Sequence, residues 1–274
     1  RRDFFKKTGD YGVFAFAASY TTTATIENLQ DPVLKSVKLD QKLLNIPIKI
    51  VQISDLHISR SMDEAFVERI VTRINALEAD IIAITGDLVD AKVTDIQAAI
   101  DWLGKLKAKQ GTFFVTGNHE YYIDTQEILG YLDDMGIQIM DNKNTFIEEL
   151  GINLVGVPDL HAGQFATQDN DIYAMDILKA TLKLKKDTPT LLLAHQPKAI
   201  EFLEDFKPHL TLSGHTHGGQ LFPFNYLVRL AQPYVKDLHQ FDKESFIYVS
   251  SGTGFWGPPM RLGVPSEITL IEWS

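Results

Sequence analysis

The sequence predicts an α/β fold, because short apolar runs rich in β-branched residues alternate with segments of helical periodicity. Later short runs suggest that the strands form more than one sheet. A chain of 274 residues with 45% hydrophobic and 23% charged residues can bury a sizeable core. We therefore expect one globular enzyme-sized domain with layered sheets and helices.

Eight runs have the length and composition of buried strands. Five of them are followed by polar residues and are expected at 48–54, 80–85, 112–116, 190–194 and 210–213. Three others, at 152–157, 246–251 and 267–272, suggest a second sheet.

Helical periodicity separates the strands. Phe66, Ile70, Ile74 and Leu77 recur at helical spacing and predict a helix over 62–79. The same spacing of apolar residues predicts a helix over 94–107, and further helices are expected near 125–135 and 172–185.

Residues of the types that commonly bind metal ions follow five of the predicted strands. They are Asp55 and His57, Asp87, Asn118 with His119 and Glu120, His195, and His215 with His217. Ligands of open α/β sheets collect outside the carboxyl ends of strands, so we expect these side chains to meet. Carboxylate, amide oxygen and imidazole suit Zn, Mn or Fe, and the chain has no cysteine for a softer site.

Each of these residues also has a structural interpretation when it is taken alone. Asp55 or Asp87 could cap a helix, and Gly117-Asn118 could be a simple turn. The isolated histidines lie outside the pattern and are expected to be structural; they are His161, His209 and His239. Five such coincidences in one chain favour a metal site.

The order D-x-H, G-D, G-N-H-E, H, G-H-x-H resembles the calcineurin-like metallophosphoesterase family from about residue 48 to the C-terminus. The resemblance implies a two-sheet β-sandwich flanked by helices. The segments 214–220 (GHTHGGQ) and 252–267 are similar to the bacterial subgroup of the YkuE and YaeI phosphoesterases and the UDP-diacylglucosamine pyrophosphatases. Serine/threonine phosphatases carry an Arg shortly after Asp87, and purple acid phosphatases need a Tyr ligand near it; this chain has neither.

The resemblance also implies roles for single residues. It assigns Asp55, His57 and His217 to one divalent metal ion, Asn118, His195 and His215 to a second, and Asp87 to both. Two such ions, of Mn, Zn or Fe, would clamp a phosphate and hold a bridging hydroxide. His119 matches the catalytic position of the family that faces the substrate, where it would contact phosphate or protonate the leaving group. Arg261 is the candidate for binding substrate phosphate. The alternative for Arg261 is a solvated loop charge.

The implied function is hydrolysis of a phosphomonoester, phosphodiester or pyrophosphate bond, with a lipid-linked or cell-envelope compound among the candidate substrates. The alternative is a non-catalytic metal-binding scaffold of the same fold, which loss of ligands would mark; here every position is filled. The net charge of -10 argues against a long nucleic acid as substrate.

The segment 221–235 (LFPFNYLVRLAQPYV) is unusually apolar for a neighbour of a metal site, and Phe255 and Trp256 follow on another loop. One interpretation is contact with a membrane surface or an acyl chain. The other is a helix or loop that packs on the core.

The first residues, RRDFFK, resemble the twin-arginine export motif and precede a mildly apolar stretch at 12–20. We therefore expect residues 1–45 to be a signal-like segment and linker, and 46–274 to be the metallophosphoesterase domain. Export by the twin-arginine translocase would place the protein in the periplasm or on the outer face of the cytoplasmic membrane. The alternative is an ordinary basic N-terminus on a protein of the cytoplasm or inner membrane surface.

Overall fold

Two six-stranded sheets face each other in the computed structural model, which describes residues 2–165 and 174–274, with side chains from residue 9 onward. The first sheet has the spatial order β1 (Val33–Leu39), β12 (Glu267–Trp273), β2 (Ile48–Ile53), β3 (Ile81–Thr85), β4 (Thr112–Val115), β5 (Gln138–Ile139). The second has the order β10 (Asp237–Asp242), β11 (Ser245–Val249), β9 (Leu210–Ser213), β8 (Thr190–Leu193), β7 (Ile152–Gly156), β6 (Lys143–Ile147). The two-sheet α/β sandwich is confirmed.

The alternation of side chains along each central strand buries both faces of the first sheet. In β3, Ile81 and Ala83 face the second sheet, whereas Ile82 and Ile84 face the outer helices. Fully burying a side chain of this size contributes about 1.5–3 kcal/mol, so each central strand is held from both sides. The strand ends are therefore rigid supports for a site.

The helices cover the outer faces of the sandwich. Those on the first sheet are α2 (Glu64–Asn75), α3 (Val93–Ile100) and α5 (Thr125–Asp134), and α6 (Ile177–Ala180) lies on the second. The remaining helices in the described ranges are α1 (Arg2–Asn28), α4 (Asn118–Tyr122) and α7 (Asn225–Ala231). Asp63 caps α2 by accepting a hydrogen bond from the Ala65 amide, which fixes where that helix begins.

Most predicted elements are present, with three differences. The strand at 267–272 belongs to the first sheet, since β12 runs parallel to β1 and antiparallel to β2. The helix predicted over 94–107 ends at Ile100 and continues as a 3₁₀ turn, Asp101–Lys105. The helix predicted over 172–185 begins partly outside the described residues, and the described part contains only the short α6.

The first sheet begins before residue 46, where the sequence predicted the start of the domain. β1 pairs with β12 along its whole length, from Val33 with Glu267 to Leu39 with Trp273. The C-terminal half of α1 also contacts the domain, because the Arg261 amide donates to the Ala24 carbonyl at 2.9 Å. In the ranges that the structure describes, no helix combines the length and apolar character needed to cross a membrane.

Candidate metal centre

The carboxyl ends of strands from both sheets meet at one edge of the sandwich. The loops come so close that glycine is required at several positions; for example, a Cβ on Gly117 would collide with Asp87, and one on Gly214 with Ser54. His195 at the end of β8 donates from Nδ1 to the Thr85 carbonyl at the end of β3, at 2.7 Å. These contacts bring together all seven predicted metal ligands, which we call the metal centre.

Five of the seven predicted ligands have left-handed backbone conformations; they are Asp55, His57, Asp87, His215 and His217, with φ between 49° and 69°. Such a conformation costs about 1–3 kcal/mol in a residue that is not glycine, and it persists only where the surroundings impose it. Here it turns the chain sharply at the strand ends, so that side chains from separate loops point to the same place.

The first group of ligands contains Asp55, His57 and His217. The Nε2 atoms of the two histidines lie 3.0 Å apart, and His217 Nε2 lies 3.5 Å from Asp55 Oδ1. All three residues are buried. Burial lowers the pKa of His217 well below its usual range, and neighbouring His57 and Arg261 lower it further, so the ring is neutral and able to bind a metal ion.

The second group contains Asp87, His195 and His215. His195 Nε2 lies 3.2 Å from Asp87 Oδ2 and 3.2 Å from His215 Nδ1. Burial lowers the pKa of His215 to about 4, and the neighbouring His195 contributes to this shift. Burial acts to lower the pKa of His195 as well, but Asp87 raises it well above its usual range. A metal ion held by His195 would have to displace that proton, so its binding would depend on pH.

Asn118 supplies a direct test of whether a metal ion fits. Its side chain lies at the start of α4 and lines the same cavity as Asp87 and His215, and its Oδ1 atom is buried without a hydrogen-bond partner. A buried amide oxygen without a partner is unfavourable by about 1–3 kcal/mol. A cation at this position would supply the missing partner, and the donor set of carboxylate, amide oxygen and imidazole suits a hard or borderline metal.

Asp90 was not identified from the sequence, although it connects two site histidines. Its Oδ1 accepts hydrogen bonds from His57 Nδ1 at 2.8 Å and from His119 Nδ1 at 2.7 Å. Burial alone would raise its pKa, but the bonds from His119 and His57 lower that pKa to about 2. Asp90 is thus an anion that orients both rings through Nδ1 and directs their Nε2 atoms away from itself.

Glu120 has a structural role in the centre. Its buried carboxylate accepts backbone hydrogen bonds from Asp87, Leu88, Val89 and Gly117, at 3.1, 2.7, 3.3 and 2.6 Å. Burial and then the charge of Asp87 raise its pKa to about 7. The spacing of Gly117 and Glu120, as in a capping box, is a signal that sequence reasoning could have used.

Arg261 does not occupy the position that the sequence predicted. The side chain is fully buried, and its guanidinium donates to the carbonyls of Gly254, Val264 and Ser251. Its Nη2 atom also lies 3.2 Å from His217 Nδ1. The donors are directed at the protein and not at the cavity, so this geometry gives no support to the prediction that Arg261 binds substrate phosphate. The residue supports the loop behind His217.

A cavity of about 510 Å³ opens beside the metal centre and has two unlike walls. One wall is polar and includes Asp87, Asn118 and His119. The other is mainly apolar and is formed by α7 and two neighbouring loops, with Leu221, Phe224, Leu227, Val228, Ala231, Trp256 and Pro258. A ligand in the cavity would contact the metal centre at one side and an apolar surface at the other.

Comparison with known proteins identifies the family that these features resemble. Residues 48–219 match the sequence profile of the calcineurin-like phosphoesterases. A Helicobacter pylori protein named an uncharacterized metallophosphoesterase is 39% identical over 273 residues, which cover 99% of this chain and 72% of that protein. A Chlamydia muridarum protein named UDP-2,3-diacylglucosamine pyrophosphatase LpxG is 26% identical over 321 residues, covering 93% of this chain and 94% of its own.

A solved structure supports the same fold. The crystal structure of a dimetal phosphatase from Danio rerio superposes with a TM-score of 0.50, and the match covers 77% of this chain and 89% of the Danio rerio chain. Its sequence identity of 9% limits the comparison to the fold.

The position of Asp87 between the two groups predicts how metal binding responds to its loss. Asp87→Asn should lower the affinity for metal at both groups, by more than the roughly 10–100-fold that follows loss of an outer partner. Elemental analysis after dialysis against graded Mn or Zn measures the effect, with the exposed Asp133→Asn as matched control. Metal content equal to wild type, or loss confined to one ion, would contradict the shared role of Asp87.

Proposed function

The chain belongs to the calcineurin-like phosphoesterase family and is a phosphoester hydrolase, and we propose that it acts through two divalent metal ions held at the metal centre. This proposal rests on one observation: the two ligand groups converge, and Asp87 lies beside both. Asp87 Oδ2 lies 3.9 Å from His57 Nε2 and 3.2 Å from His195 Nε2. Nitrogen and oxygen ligands of this kind accept Mn, Zn and Fe.

The proposed ligand sets follow the two groups. Asp55, His57 and His217 would hold one ion, and Asn118, His195 and His215 the other, with Asp87 serving both. When bound, the ions supply charge that polarises the phosphoryl group and lowers the pKa of water. The outer bonds from the rings to Asp90 and to the Thr85 carbonyl keep His57 and His195 in the tautomer that leaves Nε2 free to bind.

His119 is the proposed general acid. Its ring lines the cavity, and its Nδ1 is bonded to Asp90, which leaves Nε2 for the substrate. Burial acts to lower the pKa of His119, but the bond to Asp90 raises it above the usual value. The ring therefore keeps near neutral pH the proton that a departing alkoxide needs.

The apolar wall of the cavity bears on the substrate class. The bond cleaved is a phosphomonoester, phosphodiester or pyrophosphate bond, and we propose a lipid-linked or cell-envelope compound as substrate. Two observations support this choice: the apolar side chains that face the metal centre, and the name of the Chlamydia relative as a pyrophosphatase of a diacylated sugar nucleotide. The acidic net charge gives no support to a long nucleic acid.

The N-terminal sequence supports a proposal about location. The RRDFFK start motivates export by the twin-arginine translocase, with the enzyme then in the periplasm or on the outer face of the cytoplasmic membrane. The alternative is an enzyme of the cytoplasm or the inner membrane surface.

Turnover of model substrates tests the proposed reaction and the role of His119 together. Metal-reconstituted wild type should hydrolyse members of a panel of phosphomonoesters, phosphodiesters and nucleotide-sugar pyrophosphates. His119→Ala should keep its metal but lose about 10²–10⁴-fold in kcat on alkyl esters, and less on p-nitrophenyl esters, whose leaving group scarcely needs a proton. No turnover of any panel member would favour the non-catalytic scaffold, and loss of metal from His119→Ala would mean that His119 is a ligand.

Asp90→Asn should slow the same reaction by about 10–100-fold, the usual effect of removing an outer partner. Because Asp90 raises the pKa of His119, the pKa of His119 should be lower in the variant. The decline of kcat on the alkaline side of the pH profile should therefore begin at a lower pH than in wild type. The measurement is kcat against pH for an alkyl ester, with Asp95→Asn as the control for an acidic residue on the same side of the sandwich. An alkaline limb that does not move would contradict the role of Asp90 in holding the proton.

Replacing Arg1 and Arg2 by Lys should leave the protein inside the cell if the first residues are a twin-arginine signal. Fractionation of cells that express the wild type and the double variant measures this. If both proteins are in the cytoplasm, the arginines are an ordinary basic segment and the cytoplasmic alternative is correct.

A further inference from the structure

We propose that α1 and α7 together form a surface that binds a lipid bilayer and presents the metal cavity to it. The exposed apolar side chains that make up this α1/α7 surface are Tyr11, Val13, Phe14, Phe16, Phe222, Phe224, Tyr226, Leu227, Leu230 and Trp256. The inference builds on the proposed function only in taking the metal cavity as the active site.

Residues 11–18 of α1, YGVFAFAA, are exposed and present no polar face. Tyr11, Val13, Phe14 and Phe16 are each 70–75% exposed. A helix turns by about 100° per residue, so these four side chains point in directions spread around the whole circumference. A groove on a protein partner or on a second copy covers one face of a helix, whereas this segment needs apolar surroundings on all sides. A lipid layer provides such surroundings.

The charges along α1 fit the same environment. Residues 11–26 contain no charged side chain, and the first ten residues contain four basic and two acidic ones in a chain whose net charge is -10. Basic residues next to an apolar helical segment favour anionic lipid headgroups. The proposal therefore places the basic residues at the lipid headgroups and residues 11–18 in the apolar layer beneath them.

Contacts between α1 and the loop before α7 join the two parts of the surface. Tyr20 donates from its hydroxyl to the Phe222 carbonyl at 2.6 Å. On either side of this bond the rings continue in pairs: Phe16 lies 6.2 Å from Tyr20, and Phe222 lies 6.1 Å from Tyr226, between ring centroids. The Gly263 amide also donates to Glu27 Oε2 at 2.8 Å, which holds the C-terminal end of α1 on the domain.

The α1/α7 surface is continuous with the apolar wall of the cavity. Phe224, Leu227 and Trp256 are about half exposed on the surface and also line the cavity beside the metal centre. Leu230, on the same helix, is 84% exposed and does not line the cavity. A phosphate ester carried by a lipid would therefore reach the metal centre along α7 while its apolar part stays in contact with apolar side chains.

Vesicle co-sedimentation of the full chain tests the surface. The vesicles contain phosphatidylethanolamine and phosphatidylglycerol, and a second set contains phosphatidylcholine alone. Wild type should bind the anionic vesicles more strongly. Phe14→Glu/Phe16→Glu should lower the partition coefficient by more than about tenfold, and Leu230→Glu should also lower it. The matched control is Leu178→Glu/Leu182→Glu, at two leucines that are similarly exposed on another part of the protein, and it should bind like wild type.

Several outcomes would overturn the proposal. Wild type that stays in the supernatant, or a Phe14→Glu/Phe16→Glu variant that binds like wild type, would refute bilayer binding. Self-association of wild type without vesicles, abolished by the same variant, would assign the surface to a second copy of the chain. Turnover of a soluble p-nitrophenyl ester is measured in parallel. If the p-nitrophenyl ester is not hydrolysed but wild type binds the vesicles, the proposed function is wrong and the bilayer-binding surface stands. If the ester is hydrolysed but wild type does not bind the vesicles, only the bilayer-binding surface is refuted.

Discussion

The arrangement of the metal centre depends on one buried carboxylate, that of Glu120. It accepts four backbone hydrogen bonds from the loops that follow β3 and β4, and so fixes one loop against the other. A further hydrogen bond joins the same two loops: Asp87, which follows β3, accepts at Oδ1 from the amide of His119, which follows β4, at 2.9 Å. Burying a carboxylate is unfavourable, as its raised pKa of about 7 reflects, and bonds from several amides offset that cost. Without Glu120, the loops that carry Asp87 and Asn118 would lose the four backbone hydrogen bonds that join them through this carboxylate.

Packing in the sandwich also has to offset the backbone strain at the predicted metal ligands. Five of the seven predicted ligands adopt left-handed backbone conformations, which the loops alone would not favour. The strands that precede them are buried on both faces, and cross-sheet bonds such as that from Gln52 Nε2 to the Ser213 carbonyl, at 2.9 Å, hold the two sheets together near the site. The free energy of packing in the core thus maintains a strained arrangement at its edge. This division of roles explains why the polar residues cluster where the apolar strands end.

The sequence revealed the parts of the site that are local in the chain. Asp55 and Asp87 each follow a strand whose apolar pattern is unambiguous, so their positions could be predicted. The position of β12 could not, because it depends on pairing with strands more than two hundred residues away. Arg261 was assigned to substrate because a lone arginine in a Gly/Pro-rich loop gives no local sign of burial, yet its donors are directed at backbone carbonyls. Asp90 was missed for a related reason, since only the fold brings it to His119.

The central claim is that the two ligand groups bind two metal ions that share Asp87. Anomalous diffraction from crystals of the Mn-loaded protein, recorded at the Mn absorption edge, tests this most directly. We expect two anomalous peaks: one surrounded by Asp55, His57 and His217, the other by Asn118, His195 and His215, with the Asp87 carboxylate in contact with both. A single peak at full Mn occupancy, or a peak bound by His119 and Asp90, would contradict it.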